Sequence, residues 1–125
     1  MLGWVPDVRP EILQAAVFIA PTRIGSGIRV KTLEALALGR PVVSTTVGCA
    51  GIDVRSGEHL LVADEPRAIA DHVVALLRDP DGAARLGAAA AARVAERYAW
   101  PALMDRFDAV YAAVLAERAA RRRVL

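Results

Sequence analysis

Lysine is almost missing from this chain: of 16 basic residues fifteen are arginine, and Lys31 stands alone. Cysteine is as scarce. The single Cys49 excludes an intramolecular disulfide and a thiolate metal cage, and it fits a reducing cytoplasm. The two histidines, His59 and His72, have no ligand-like spacing. Both read as structural or surface residues, and no metal is expected. Aromatics make up only 5% of the chain and the net charge is +2, which argues against nucleic-acid binding. No apolar run approaches the ~20 residues of a membrane span. Met1–Pro6 lacks a charged segment followed by an apolar one, so no secretory signal is expected. The expectation is a soluble, cytoplasmic chain.

What is present is apolar residue, at 55% of 125 positions, enough for one core. Its arrangement alternates short apolar runs with helical periods, as parallel strands and crossover helices require. Asp7 as N-cap and Pro10 in the first turn predict a brief helix. Ala15–Ala20, closed by Pro21, predicts a strand buried on both faces. A helix is expected from Ile28 to Leu38, stopped by Gly39 and Pro41, then a strand over Val42–Thr45. A loop with glycines at 48, 51 and 57 leads to a third strand, His59–Asp64. Asp64 and Pro66 should open a helix with Ile69, Val73, Leu76 and Leu77 on one stripe. Pro80 breaks it, a further helix runs to Arg97, and Pro101 opens a last one. That last helix has Leu103, Phe107, Val110, Tyr111 and Val114 on one face.

The fold class expected is therefore α/β, a Rossmann-like βαβ unit in three layers with a parallel sheet. Three strands are few for such a sheet, and the chain opens on a loop-like segment, so a preceding part is expected to be absent. The sheet edge this leaves should favour self-association.

The stretch of densest chemistry is "RIGSGIRVKTLEALALGRPVVST", residues 23–45. Gly25, Ser26 and Gly27 form a turn between a strand and a helix start, where backbone amides lack acceptors and a phosphate can approach. Arg29 offers a planar fork to phosphate oxygens and Lys31 a compact charge. Glu34 suits sugar hydroxyls. On a regular helix Arg29 and Lys31 stand about 200° apart, so they share a ligand only if the first turn is irregular or the ligand spans it. The alternative is a capped surface helix with its charges in water. The loop after the second strand opens on the same sheet edge, so Cys49 and Ala50 are expected to line the ligand pocket and Thr45 and Thr46 to add hydroxyls to it.

"APTRIGSGIRVKTLEALALGRPVVSTTVGCAGI" resembles the donor-binding segment of GT-B-fold retaining glycosyltransferases of group 1, also called family 4. The likeness continues through "DVRSGEHLLVADEP" and "LLRDPDGAARLG" to "RYAWPALMDRFDAVY", and so covers essentially the whole chain. It implies that residues 1–125 are part of the C-terminal, donor-binding domain, without the N-terminal acceptor domain. In the family's E-x7-E pattern the second glutamate falls on Glu34, which would hold the ribose of a nucleotide-sugar. The first falls on Ser26, as in the subgroup with "GSGxRxK". Gly27 and Ile28 would present amides to the donor, and Arg29 and Lys31 would neutralise the leaving diphosphate without a divalent metal or other cofactor.

The resemblance implies glycosyl transfer to an unidentified acceptor with retention, the isolated chain being inactive. Two other readings bear on the same residues. A nicotinamide-binding unit needs a third glycine where Val30 stands, and an acidic residue at a following strand end. A non-catalytic remnant or interaction module with the same fold stays open. The terminal Arg118, Arg121, Arg122 and Arg123 admit contact with acidic lipid headgroups, or simply complement a helix dipole.

Overall fold

A computed structural model describes residues 3–122, with side chains through residue 118. The chain divides into two compact units, one ending at Ala95 and the other beginning at Glu96. In the first, helix α1 spans Arg9–Gln14, strand β1 Phe18–Ala20, α2 Val30–Ala37 and β2 Val42–Ser44. A 3-10 turn, Val47–Cys49, then precedes β3 (Leu61–Val62), α3 (Pro66–Arg78) and α4 (Pro80–Tyr98), whose last turn crosses into the second unit.

The sheet is parallel in the order β1-β2-β3. Ile19 sits opposite Val43, and Ser44 opposite Val62. Within the described residues β1 and β3 each have a single neighbour strand.

β2 is the centre of the core because its residues, the β-branched Val42 and Val43 and the small Ser44, are buried. Consecutive strand residues face opposite sides, so burial of both Val42 and Val43 means that both faces of β2 are covered. On the Val43 side lie Leu76 of α3 and Ala83 of α4, with Val17, Leu61, Ile69, Val73 and Leu86 packed around them. The stripe expected on α3 is therefore its core face, except for Leu77, which is 54% exposed.

The end of α2 falls where Gly39 and Pro41 place it. Gly39 has φ +68, a conformation a side chain disfavours. There the Gly39 amide donates to the Leu36 carbonyl and the Arg40 amide to that of Ala35. These paired bonds satisfy carbonyls that the helix end would leave bare.

Other boundaries differ from expectation. β1 begins only at Phe18, since the Ala15 amide still bonds the Ile12 carbonyl at the end of α1. β3 is confined to Leu61–Val62, since His59 and Leu60 are taken by a turn in which the His59 amide donates to the Arg55 carbonyl and that of Gly57 to Leu60. Asp7 does not cap α1. Val8 holds that position, and Asp7 instead accepts from the Arg9 amide and guanidinium. Asp64 does not cap α3 either, its carboxylate being turned to Thr46. Asp79, not singled out in the sequence, accepts from the Gly82 amide at 2.8 Å ahead of Pro80.

The loop before β3 is tethered from a distance. Arg93 of α4 donates to the Asp53 carbonyl at 3.1 Å and to its carboxylate at 2.8 Å. In the second unit, α5 runs from Trp100 to Arg122. Its Trp100, Phe107, Val110, Tyr111 and Val114 are exposed, Trp100 at 75%. Arg118 is exposed as well, while the side chains of Arg121, Arg122 and Arg123 lie outside the described residues.

Candidate functional site

Pro21 ends β1, and the chain turns through Gly25 and Gly27, with φ of +152 and +78, backbone shapes that glycine adopts at least cost. The regular helix starts later than the sequence suggests. α2 begins at Val30, with Arg29 at its N-cap in a non-helical conformation, φ −84 and ψ 81. Arg29 and Lys31 are therefore not fixed at helical spacing, and the first turn is irregular.

Freed from the helix, the Arg29 side chain folds back over the turn. Its Nε–H donates to the Val47 carbonyl at 3.1 Å and an Nη to that of Ser26 at 3.2 Å. The guanidinium lies so close over Gly25 that a Cβ there would come within 2.6 Å of its nitrogens. Glycine at 25 thus makes room for Arg29.

The helix start is anchored from beneath. Thr32 is 2% exposed, and its hydroxyl donates to the Gly48 carbonyl at 2.8 Å. The first i to i−4 bond runs from the Leu33 amide to the Arg29 carbonyl. The amides of Lys31 and Thr32 precede it and lack an intrahelical acceptor. Lys31 and Glu34 are exposed, as are Gly25, Ser26, Gly27 and Ile28. The positions expected to act together are thus gathered in one solvent-facing turn and helix start. Glu34 also lies within electrostatic reach of Arg9: the Arg9 guanidinium is held above its ordinary pKa first by its hydrogen bond to Asp7, and least by the Glu34 charge.

The neighbouring strand end is occupied differently from expectation. The buried Thr45 hydroxyl donates to the Thr22 carbonyl and accepts from the Gly48 amide at 2.9 Å. It ties the backbone together, and its proton is spent within the protein. The Thr46 amide and hydroxyl both donate to Asp64, at 2.8 and 2.7 Å. Those bonds, the hydroxyl's first, hold the Asp64 carboxyl below the usual carboxylate range. The Cys49 thiol donates to the Thr46 carbonyl at 3.6 Å. Burial pushes its pKa up, which keeps it protonated and unreactive.

Thr22, Arg23, Thr45, Thr46, Val47 and Asp64 line a cleft of about 290 Å³ beside the turn. Arg23 and Asp64 carried no periodic or motif signal for that position. At the opposite end of the strands, Arg40, Pro41, Leu76 and Pro80 help to line a second hollow of about 250 Å³. Among the described residues no group of His, Cys, Asp and Glu is placed to hold a metal ion, and no helix is long and apolar enough to cross a membrane.

Comparison with known proteins adds a family. Residues 1–79 match the family described as "Glycosyl transferases group 1". A phosphatidyl-myo-inositol mannosyltransferase of Mycobacterium leprae is 35% identical over 117 residues, covering 90% of this chain and 31% of that protein. A D-inositol 3-phosphate glycosyltransferase of Rhodococcus opacus is 33% identical over 102 residues, covering 80% of this chain and 23% of that one. Among solved structures, sucrose-phosphate synthase from Thermosynechococcus elongatus superposes with a TM-score of 0.70 at 28% identity, over 82% of this chain and 26% of the other. The chain thus spans less than a third of the length of each of these relatives.

Proposed function

The chain belongs to the group 1 glycosyltransferases, and from that membership we propose that it is the nucleotide-sugar-binding portion of a retaining enzyme. The donor's diphosphate lies against the Gly25–Ile28 turn and the amides of Lys31 and Thr32. Glu34 accepts hydrogen bonds from the ribose. As the bond between the anomeric carbon and the phosphate oxygen breaks, negative charge grows on the diphosphate. Arg29, Lys31 and the helix start stabilise it with groups already in place, and a divalent cation is not needed for that step. The acceptor oxygen bonds to the anomeric carbon on the face the diphosphate leaves, and its proton passes to the departing phosphate oxygen. The acceptor itself is held by the greater part of the enzyme, which this chain does not span.

The observation that carries the reading is the position of Arg29. Its guanidinium is drawn across the glycine turn by two carbonyls, and the exposed Lys31 and the first amides of α2 follow within three residues at the same strand end. Ligands of parallel α/β sheets bind at such ends.

The test is a thermal unfolding scan of the protein with millimolar UDP, GDP or ADP, beside Glu34→Ala. One nucleotide is expected to raise the midpoint, by about 2.7 kcal/mol of stabilisation at a hundredfold excess over Kd, and Glu34→Ala to abolish the rise. A cooperative transition that no nucleotide shifts would remove the donor site and leave a fold without turnover.

A further inference from the structure

The hollow at the far end of the strands is walled by separate segments of the first unit. The link between α2 and β2 supplies Arg40 and Pro41, the last turn of α3 Leu76 and Leu77, and the first turns of α4 Ala83 and Ala84. Leu76 and Ala83 are buried, while Leu77 and Ala84 are exposed. The hollow thus runs from solvent down to core residues. Arg40 is the one charged residue lining it, and no other lining residue has a polar side chain.

Arg40 is incompletely bonded. Its Nη1 donates to the Leu13 carbonyl at 3.2 Å in an exposed bond, and it makes no ion pair among the described residues. Its Nε is buried without a hydrogen-bond partner, the one such side-chain atom among the described residues. Buried polar groups are nearly always bonded, so an orphan N–H at an apolar hollow points to an acceptor brought by a ligand. Asp79, between the α3 and α4 walls, is turned elsewhere. It accepts from the Gly82 amide at 2.8 Å and lies 4.0 Å from Arg85.

The chemistry that fits is an anion on an apolar body. At about 250 Å³ the hollow is larger than the roughly 150 Å³ cavity that takes benzene. A single ring or a short branched chain can enter with one small charged group. One guanidinium neutralises one negative charge, and its planar fork matches a carboxylate through two parallel bonds. A phosphate dianion would bring a second charge against apolar walls. Because the bond to Leu13 is exposed, a turn of the guanidinium gives it up at little cost and offers Nε–H and an Nη together.

We propose that this hollow binds a small monocarboxylate with an apolar body. Arg40 pairs with the carboxylate, and Leu76, Leu77, Ala83 and Ala84 enclose the rest. The site lies at the amino ends of β1 and β2, away from the carboxyl ends where ligands of such sheets ordinarily bind. It therefore stands whether or not the glycine turn takes a diphosphate.

Benzoate is the probe, followed by proton–nitrogen correlation NMR, in which the Arg40 Nε–H gives its own signal. Benzamide has the body without the charge, and acetate the charge without the body. Benzoate is expected to move the Arg40 Nε–H and the Leu77 and Ala84 amides along one saturable curve. Benzamide and acetate should bind about tenfold more weakly or worse. Arg40→Met keeps an apolar stem without the fork and should weaken benzoate by a similar factor. Ala84→Leu, at an exposed helical position that accepts leucine, enlarges a wall and should weaken it too. Unfolding midpoints check both variants, and the benzamide and acetate arms need neither. The assignment is overturned by no saturable shift at these residues, or by benzamide or acetate binding as well as benzoate. Undiminished binding to a folded Arg40→Met or Ala84→Leu protein overturns it equally.

Discussion

The Nε–H of Arg29 donates to the carbonyl of Val47 at 3.1 Å, so the residue that opens α2 is held by the turn that follows β2. The same guanidinium also spans to Ser26. Two loops from successive strand ends thus share one side chain, and the spacing between them depends on it.

Arg29→Ala removes both bonds. Because one is only partly buried and the other exposed, the expected loss of stability is about 1 kcal/mol, read from urea denaturation. Binding of the preferred nucleoside diphosphate should fall at least tenfold, as for loss of a charge-assisted bond. Arg29→Lys keeps the charge but lacks the fork that reaches two carbonyls, and should recover only part of the affinity. Full recovery by lysine would show that the bridge is irrelevant.

Thr32→Val deletes the buried hydroxyl and strands the Gly48 carbonyl. The expected cost is about 1–2 kcal/mol, and Thr32→Ser should restore most of it. Chemical denaturation of the three proteins decides the matter, and a valine variant as stable as the parent would sink it.

The Asp64 carboxyl titrates low because it is hydrogen-bonded by Thr46. A folded-state pKa below the unfolded value contributes stability above the unfolded pKa, and that contribution is lost as pH falls through the folded one. Thr46→Val removes the hydroxyl bond, the first cause of the shift. The Asp64 midpoint, followed by NMR of the side-chain carboxyl, should rise in this variant toward 3.8, its ordinary value. The stability gap between parent and variant should close in acid.

Cys49 should react with an aromatic disulfide reagent several-fold more slowly at neutral pH than a free thiol. Burial raises its pKa and the thiolate is the attacking form. Unfolding in urea should bring the rate to that of the free thiol. Fast labelling of the folded protein would contradict its packing against Thr46.

Much of the frame could be read from local pattern. Gly39 and Pro41 mark a stop because their backbone limits act within a few residues. Val42 and Val43 mark a buried strand, and Ile69, Val73 and Leu76 recur at the helical period, so burial leaves a trace in sequence. The polar network leaves none. Asp64 has its partner at Thr46 and Thr32 has its partner at Gly48, separations of 18 and 16 residues. Hydrogen bonds at such distances have no period, and a carboxylate ahead of a proline reads as a cap whether or not it serves as one. The group from Gly25 to Glu34 was legible as a cluster, but the irregular entry at Arg29 was not. It depends on carbonyls at Ser26 and Val47 that every residue possesses and no letter announces.

Arg93 and Asp53 stand 40 residues apart and hold each other by two bonds. A protease must draw an extended segment into its groove to cut it, and the stretch around Asp53 has little regular structure of its own to prevent that. Its resistance to digestion is thus lent by a helix that forms later in the chain. A polypeptide stopped before residue 93 would carry the same peptide bonds near Asp53 and present them to be cleaved.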